Sequence, residues 1–111
     1  MLVSVKERLL LMNMLPVEGD LAELRMIRQL QDDLGFIEAE KAKLNFSVKD
    51  NQITWAAEHD TPIDVALSKE RRELLDRAFL KLDADKRLTM AHLDLHERLA
   101  EAAVAAFPRE A

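Results

Sequence analysis

The stretch Asn45-Phe46-Ser47-Val48-Lys49-Asp50-Asn51-Gln52-Ile53-Thr54-Trp55 decides the fold class. On either side of it apolar residues recur at helical spacing, and within it the period drops to two. Phe46 and Val48 alternate with Asn45, Ser47 and Lys49, and Ile53 and Trp55 alternate with Gln52 and Thr54. Successive side chains of a strand point to opposite faces, so this is the pattern of two strands. Asp50 and Asn51 between them tolerate positive φ, which suits a tight hairpin turn. The register puts Phe46, Val48, Ile53 and Trp55 on one face. A lone hairpin is marginal in water, so that face is expected to pack on helices.

Working toward the N-terminus, the chain reads as three helices. Ser4-Val5-Lys6-Glu7 has the form of a capping box, and a first helix is expected from about Val5 to Asn13 or Met14. Pro16 disfavours helical geometry at Leu15. Leu9, Leu10, Leu11 and Met12 are consecutive, so this helix is apolar on more than one side. Such a helix is central to a core or buried in an oligomer contact. Asp20 caps a second helix carrying Leu24, Ile27, Leu30 and Leu34, with Gly35 placed as the left-handed residue beyond its last turn. A short third helix, about 37–44, presents Glu38, Glu40, Lys41 and Lys43 to solvent.

Toward the C-terminus, 56–61 reads as a loop. Ile63, Val65 and Leu67 alternate in phase, which predicts a third strand with Pro62 at its start. Ser68 caps a fourth helix to about Leu82 with Leu74, Leu75, Ala78, Phe79 and Leu82 as its stripe. Thr89 caps a fifth, to about Ala106, with Leu93, Leu95, Leu99, Ala102, Ala103 and Ala106 on its apolar side; Pro108 ends it. The expected architecture is one α+β domain spanning 1–111, mostly helical, with about five helices and a small antiparallel hairpin sheet. Segments 1–44 and 68–107 are helical, and 45–67 holds the hairpin and third strand. The expected core is Leu9, Met12, Leu24, Ile27, Leu30, Phe46, Ile53, Trp55, Leu75, Phe79, Leu82, Leu95 and Leu99.

Composition limits function. The chain has 111 residues, 49% of them apolar, with 16 Lys+Arg against 21 Asp+Glu and a net charge of −5. A chain of this length buries roughly 65% of its unfolded surface, enough for one core without staples. The absence of Cys excludes disulfides, iron–sulfur clusters and thiolate zinc sites. No apolar run approaches the ~20 residues of a membrane span, and no signal-peptide pattern is present. A cytoplasmic protein with no membrane contact is expected. The acidic balance argues against nonspecific binding to phosphate backbones.

No motif assembles chemistry. His92 and His96, four apart on one helix face, are a candidate metal pair, but His-Glu-x-x-His is not present and a zinc site needs at least three protein ligands. Asp83-Ala84-Asp85-Lys86-Arg87 resembles the start of a calcium loop, then fails at Arg87, Leu88 and the missing closing Glu. The only glycines are Gly19 and Gly35, so no phosphate-binding glycine loop exists. Ser4 and Ser68 read as caps, Ser47 lies outside any nucleophile elbow, and the adjacent Asp32-Asp33 point in different directions on a helix. No catalytic residue and no cofactor are assigned, and an enzyme is not expected.

The order helix, helix, helix, hairpin resembles the winged-helix arrangement, in which the third helix enters the major groove and the hairpin contacts backbone. Here the third helix would offer Glu38, Glu40, Lys41 and Lys43, and the hairpin tip Lys49, Asp50 and Asn51. Residues 36–67, however, hold 3 basic and 6 acidic groups, where a basic stripe is needed. Trp55 and Phe46 read as core filling rather than exposed anchors. Met12, Met14 and Met26 read likewise rather than as an adaptable binding surface.

Residues Lys6-Glu7-Arg8, Leu9 to Met14 and Leu15-Pro16-Val17-Glu18-Gly19-Asp20 give the N-terminal half a resemblance to a type of small, uncharacterised phage and prophage protein. Ile27-Arg28-Gln29-Leu30, Leu34-Gly35-Phe36 and Gln52-Ile53-Thr54-Trp55 extend it, with a weaker echo from Leu82-Asp83 to Lys86-Arg87-Leu88-Thr89. The resemblance implies a helix-rich fold and a phage origin, and carries over no activity, substrate or catalytic residue. The leading expectation is a non-enzymatic protein-interaction module that binds a host or phage protein or self-associates, as a virion assembly factor or an inhibitor of a host factor. Leu10, Leu11, Met14, Lys41, Lys43 and Lys49 are the candidate contact residues. The alternative is a winged-helix-like nucleic-acid-binding regulator.

Overall fold

The computed structural model describes the backbone of residues 1–106 and the side chains of 1–101. Its elements are β1 (Leu2–Val3), α1 (Val5–Met14), α2 (Leu21–Leu34), α3 (Glu38–Leu44), β2 (Ser47–Lys49), β3 (Gln52–Thr54), a 3-10 turn (Ala57–His59), β4 (Ile63–Asp64), α4 (Lys69–Ala84) and α5 (Met90–Ala106). The expected class, mostly helical α+β with five helices, is the observed one. Among the described residues no helix is long and apolar enough to cross a membrane.

Local capping sets the helix starts. Ser4 Oγ accepts the Glu7 N–H at 3.3 Å while Glu7 Oε1 accepts the Ser4 N–H at 3.0 Å, which is the expected capping box. Asp60 joins from a distant loop, its carboxylate accepting the Val5 N–H at 3.0 Å. Asp20 accepts the Glu23 N–H at 2.8 Å, and that donor holds the Asp20 carboxyl below its ordinary value. Ser68 Oγ accepts the Arg71 N–H at 3.2 Å.

The helix ends differ from the reading at Gly35. Its φ is −65°, extended rather than left-handed. What favours glycine there is close approach, since a Cβ would lie 3.0 Å from the Gln31 carbonyl oxygen. The left-handed residues are Asn45 after α3, Asp50 and Asn51 in the hairpin turn, and Lys86 after α4. At α4 the Lys86 N–H donates to Asp83 O at 3.0 Å and the Arg87 N–H to Leu82 O at 2.9 Å. This pair of bonds is a Schellman ending, and it is what the Asp83-to-Arg87 segment forms in place of a calcium loop.

The strands form two separate pairs rather than one sheet. In the hairpin Ser47, Val48 and Lys49 face Thr54, Ile53 and Gln52, around a turn with positive φ at both central residues. The third strand exists but pairs elsewhere. β4 lies antiparallel to β1, with Leu2 opposite Asp64 and Val3 opposite Ile63. The Val65 N–H extends this pairing by donating to Met1 O at 2.9 Å. The 3-10 turn and Asp60 bring the chain from the hairpin back to the start of α1, where the two extended residues before Ser4 meet β4.

The buried side chains form one contiguous cluster. Ile27, Leu30, Leu75, Phe79, Leu95 and Leu99 are in it as expected. Val3, Leu11, Met14, Leu15, Leu34, Val65, Leu74 and Ala78 join them. The hairpin does not. Val48 is 72% exposed and Ile53 45% exposed. Phe46 and Trp55 are half-buried, stacked edge-on at 6.4 Å, with Phe46 edge-on to Phe36 at 5.0 Å. The hairpin thus leans on one aromatic edge and projects its tip. Leu9, Met12 and Leu82 are half-buried and Leu24 is exposed.

α1 is central, between α2 and α4, which accounts for its excess of apolar residues. Its most buried stripe is Val5, Arg8, Leu11 and Met14. Arg8 is 1% exposed. Its Nε donates to Leu34 O at 3.0 Å, and Nη2 to Gly35 O. Nη1 and Nη2 meet the Glu40 carboxylate at 2.7 and 3.3 Å. The guanidinium also lies 3.8 Å from the Phe36 ring centroid. One side chain therefore joins α1, the end of α2 and the first turn of α3, with carbonyls and a carboxylate answering each nitrogen.

Candidate interaction surface

α4 and α5 are joined by the Schellman ending and the residues up to Thr89, and they enclose an open groove of about 670 Å³. The local sequence builds its walls. On α4, Leu74, Leu75, Ala78 and Phe79 turn inward, while Leu80 is an apolar residue off that stripe and is 66% exposed. On α5, Leu95 and Leu99 are buried, and Leu93 is 46% exposed. Leu75, Phe79 and Leu99 make the floor, and Leu80 and Leu93 stand on the lips.

His92 and His96 both line this groove. His92 Nδ1 accepts the Thr89 N–H at 3.0 Å and lies 2.8 Å from Thr89 Oγ1, so this nitrogen serves the start of α5. The His96 ring stands edge-on to Phe79, with centroids 5.0 Å apart at 84°. Among the described residues no group of three or more His, Cys, Asp or Glu side chains is placed to hold a metal ion. The groove is apolar and open, with few converging polar groups.

The other candidate contact residues scatter. Leu11 and Met14 are core residues that offer no surface, and Leu10 is half-buried against the core. α1 packs against α2 and α4, which takes Leu11 and Met14 into the core. Lys41 and Lys43 are exposed on α3, with Lys41 3.4 Å from Glu38. Lys49 is exposed at the end of β2. Met12 and Met26 are half-buried against the core. Ala102, Ala103 and Ala106 lie outside the residues whose side chains are described, and Pro108 lies outside the described residues. The groove is not legible in the sequence, where Leu93 counts in the apolar stripe of α5 and Leu80 falls outside that of α4. Its one sequence signal was Leu80 standing beside the α4 stripe.

Comparison with family models, with curated proteins and with solved structures gives no match.

Proposed function

We propose that the protein is a non-enzymatic protein-interaction module, phage-encoded and acting in the host cytoplasm, whose contact face is the α4–α5 groove. The observation that carries this reading is the pair of exposed leucines, Leu80 and Leu93, standing over an apolar floor in an open groove. Contiguous exposed apolar surface is a mark of protein contact. The phage origin rests on the resemblance of the N-terminal half. Virion assembly and inhibition of a host factor are both roles for such a face.

Site-specific photo-crosslinking in a bacterial host tests it. A photoreactive residue at Leu93 is expected to yield a discrete protein adduct, and one at Arg25 on exposed α2 is not. If neither position gives an adduct and light scattering gives a monomer across the concentration range, the reading is wrong. Retention on duplex DNA at low salt, weakened by Lys41→Ala, Lys43→Ala and Lys49→Ala together, would favour the nucleic-acid reading instead.

A further inference from the structure

We infer that the α4–α5 groove takes an amphipathic helix with a basic flank, supplied by a partner protein. This rests on the groove being the contact face and names the segment it receives. The occupant follows from charge. Asp76 and Asp83 line the groove from α4 and are exposed. Neither carboxylate makes an ion pair or hydrogen bond among the described residues. Arg72, the one Arg or Lys among the described lining residues, is half-buried and engaged. The charge left over at the groove is negative.

Asp76 and Asp83 are seven residues apart on one helix, two turns or about 10 Å along the axis. A helix lying along the groove meets them with Lys or Arg at positions seven apart. Between these, side chains at three- and four-residue spacing fill the space over Phe79, Leu80 and Leu93. A second copy of this chain is the poorer occupant. Two-fold pairing of the grooves, α4 against α4, sets this acidic stripe against itself.

The test uses the full chain and two fluorescein-labelled 18-residue helical peptides with the same leucine stripe. One carries Lys at two flanking positions seven apart, the other Glu there. Fluorescence anisotropy is expected to show the Lys peptide binding about tenfold or more tightly, with the gap shrinking at high salt. Asp76→Asn with Asp83→Asn should remove most of the gap, and Leu93→Glu should weaken both peptides. Leu80→Glu is the second groove variant, and circular dichroism checks the fold of each. Equal binding of both peptides, lost in Leu93→Glu, overturns the charge rule and leaves the groove as the contact face. No peptide binding, with a dimer that Leu93→Glu dissociates, makes the occupant a second copy and overturns the inference. No peptide binding by a monomer that still cross-links at Leu93 also overturns it.

Discussion

Arg8 joins three helices through one side chain. It answers the carbonyls of Leu34 and Gly35 and the carboxylate of Glu40 from a position sealed from solvent. Removing one partner of such a pair leaves the others unanswered. Arg8→Ala is expected to cost about 3 kcal/mol in urea unfolding, and Arg8→Lys to recover little of it because an ammonium lacks the fork. The Arg8 hydrogen bonds hold the Glu40 carboxyl below its ordinary value, with the Ile37 N–H adding to them. A carboxyl lowered in this way stabilises the fold above its unfolded pKa of about 4.3 and loses that contribution as pH falls through its folded value. Wild-type stability should therefore drop between about pH 5 and pH 3, and Glu40→Gln should be lower at neutral pH with a flatter acid limb. Unfolding curves at several pH values check this; parallel curves for the two proteins would refute it. None of this was visible in the sequence, where Arg8 sits among Lys6, Glu7 and Leu9 as an ordinary helix charge.

At the scale of elements, the hairpin and the α4 ending behave differently from what periodicity suggests. The alternation of Phe46, Val48, Ile53 and Trp55 located the strands, and Asp50-Asn51 located the turn. Alternation says which residues share a face, and it does not say whether anything covers that face. Only the Phe46 and Trp55 end is covered, by Phe36. Ile53→Ala should then cost less than about 1 kcal/mol, against about 3 kcal/mol for Leu75→Ala in the buried stripe of α4. Equal losses in thermal unfolding would place the hairpin in the core after all. Lys86 holds a left-handed φ of 54° where a glycine is favoured. Lys86→Gly should stabilise by about 0.5–1 kcal/mol, because the strain of a side chain there outweighs the entropy of glycine. A lower melting temperature for this variant would count against the Schellman assignment.

Across the whole molecule, stability should be uneven. The core cluster joins α1, α2, α4 and α5 with Val3 and Val65, while the β2–β3 tip stands outside it. Hydrogen exchange followed by mass spectrometry should find the hairpin amides exchanging at least about tenfold faster than those of α1 and α4. Slow exchange in the hairpin would mean that something covers Val48 and Ile53 in solution. The same unevenness sets the groove apart. Its floor belongs to the stable core, and its lips, Leu80 and Leu93, are exposed.

Five helices, the side-chain caps that start α1, α2 and α4, and the hairpin turn were legible in the chain, because they depend on neighbours within about four residues. Ser4 with Glu7, Asp20, Ser68 and Asp50-Asn51 act through bonds to backbone groups close by in sequence. The pairing of β4 with β1, the burial of Arg8 and the opening of the α4–α5 groove depend on groups that sequence separates and packing brings together. Val3 meets Ile63, and Arg8 meets Glu40. Hydrophobic burial is non-directional, so local pattern marks a face as apolar, and tertiary structure alone decides whether that face is covered by the same chain or left for another.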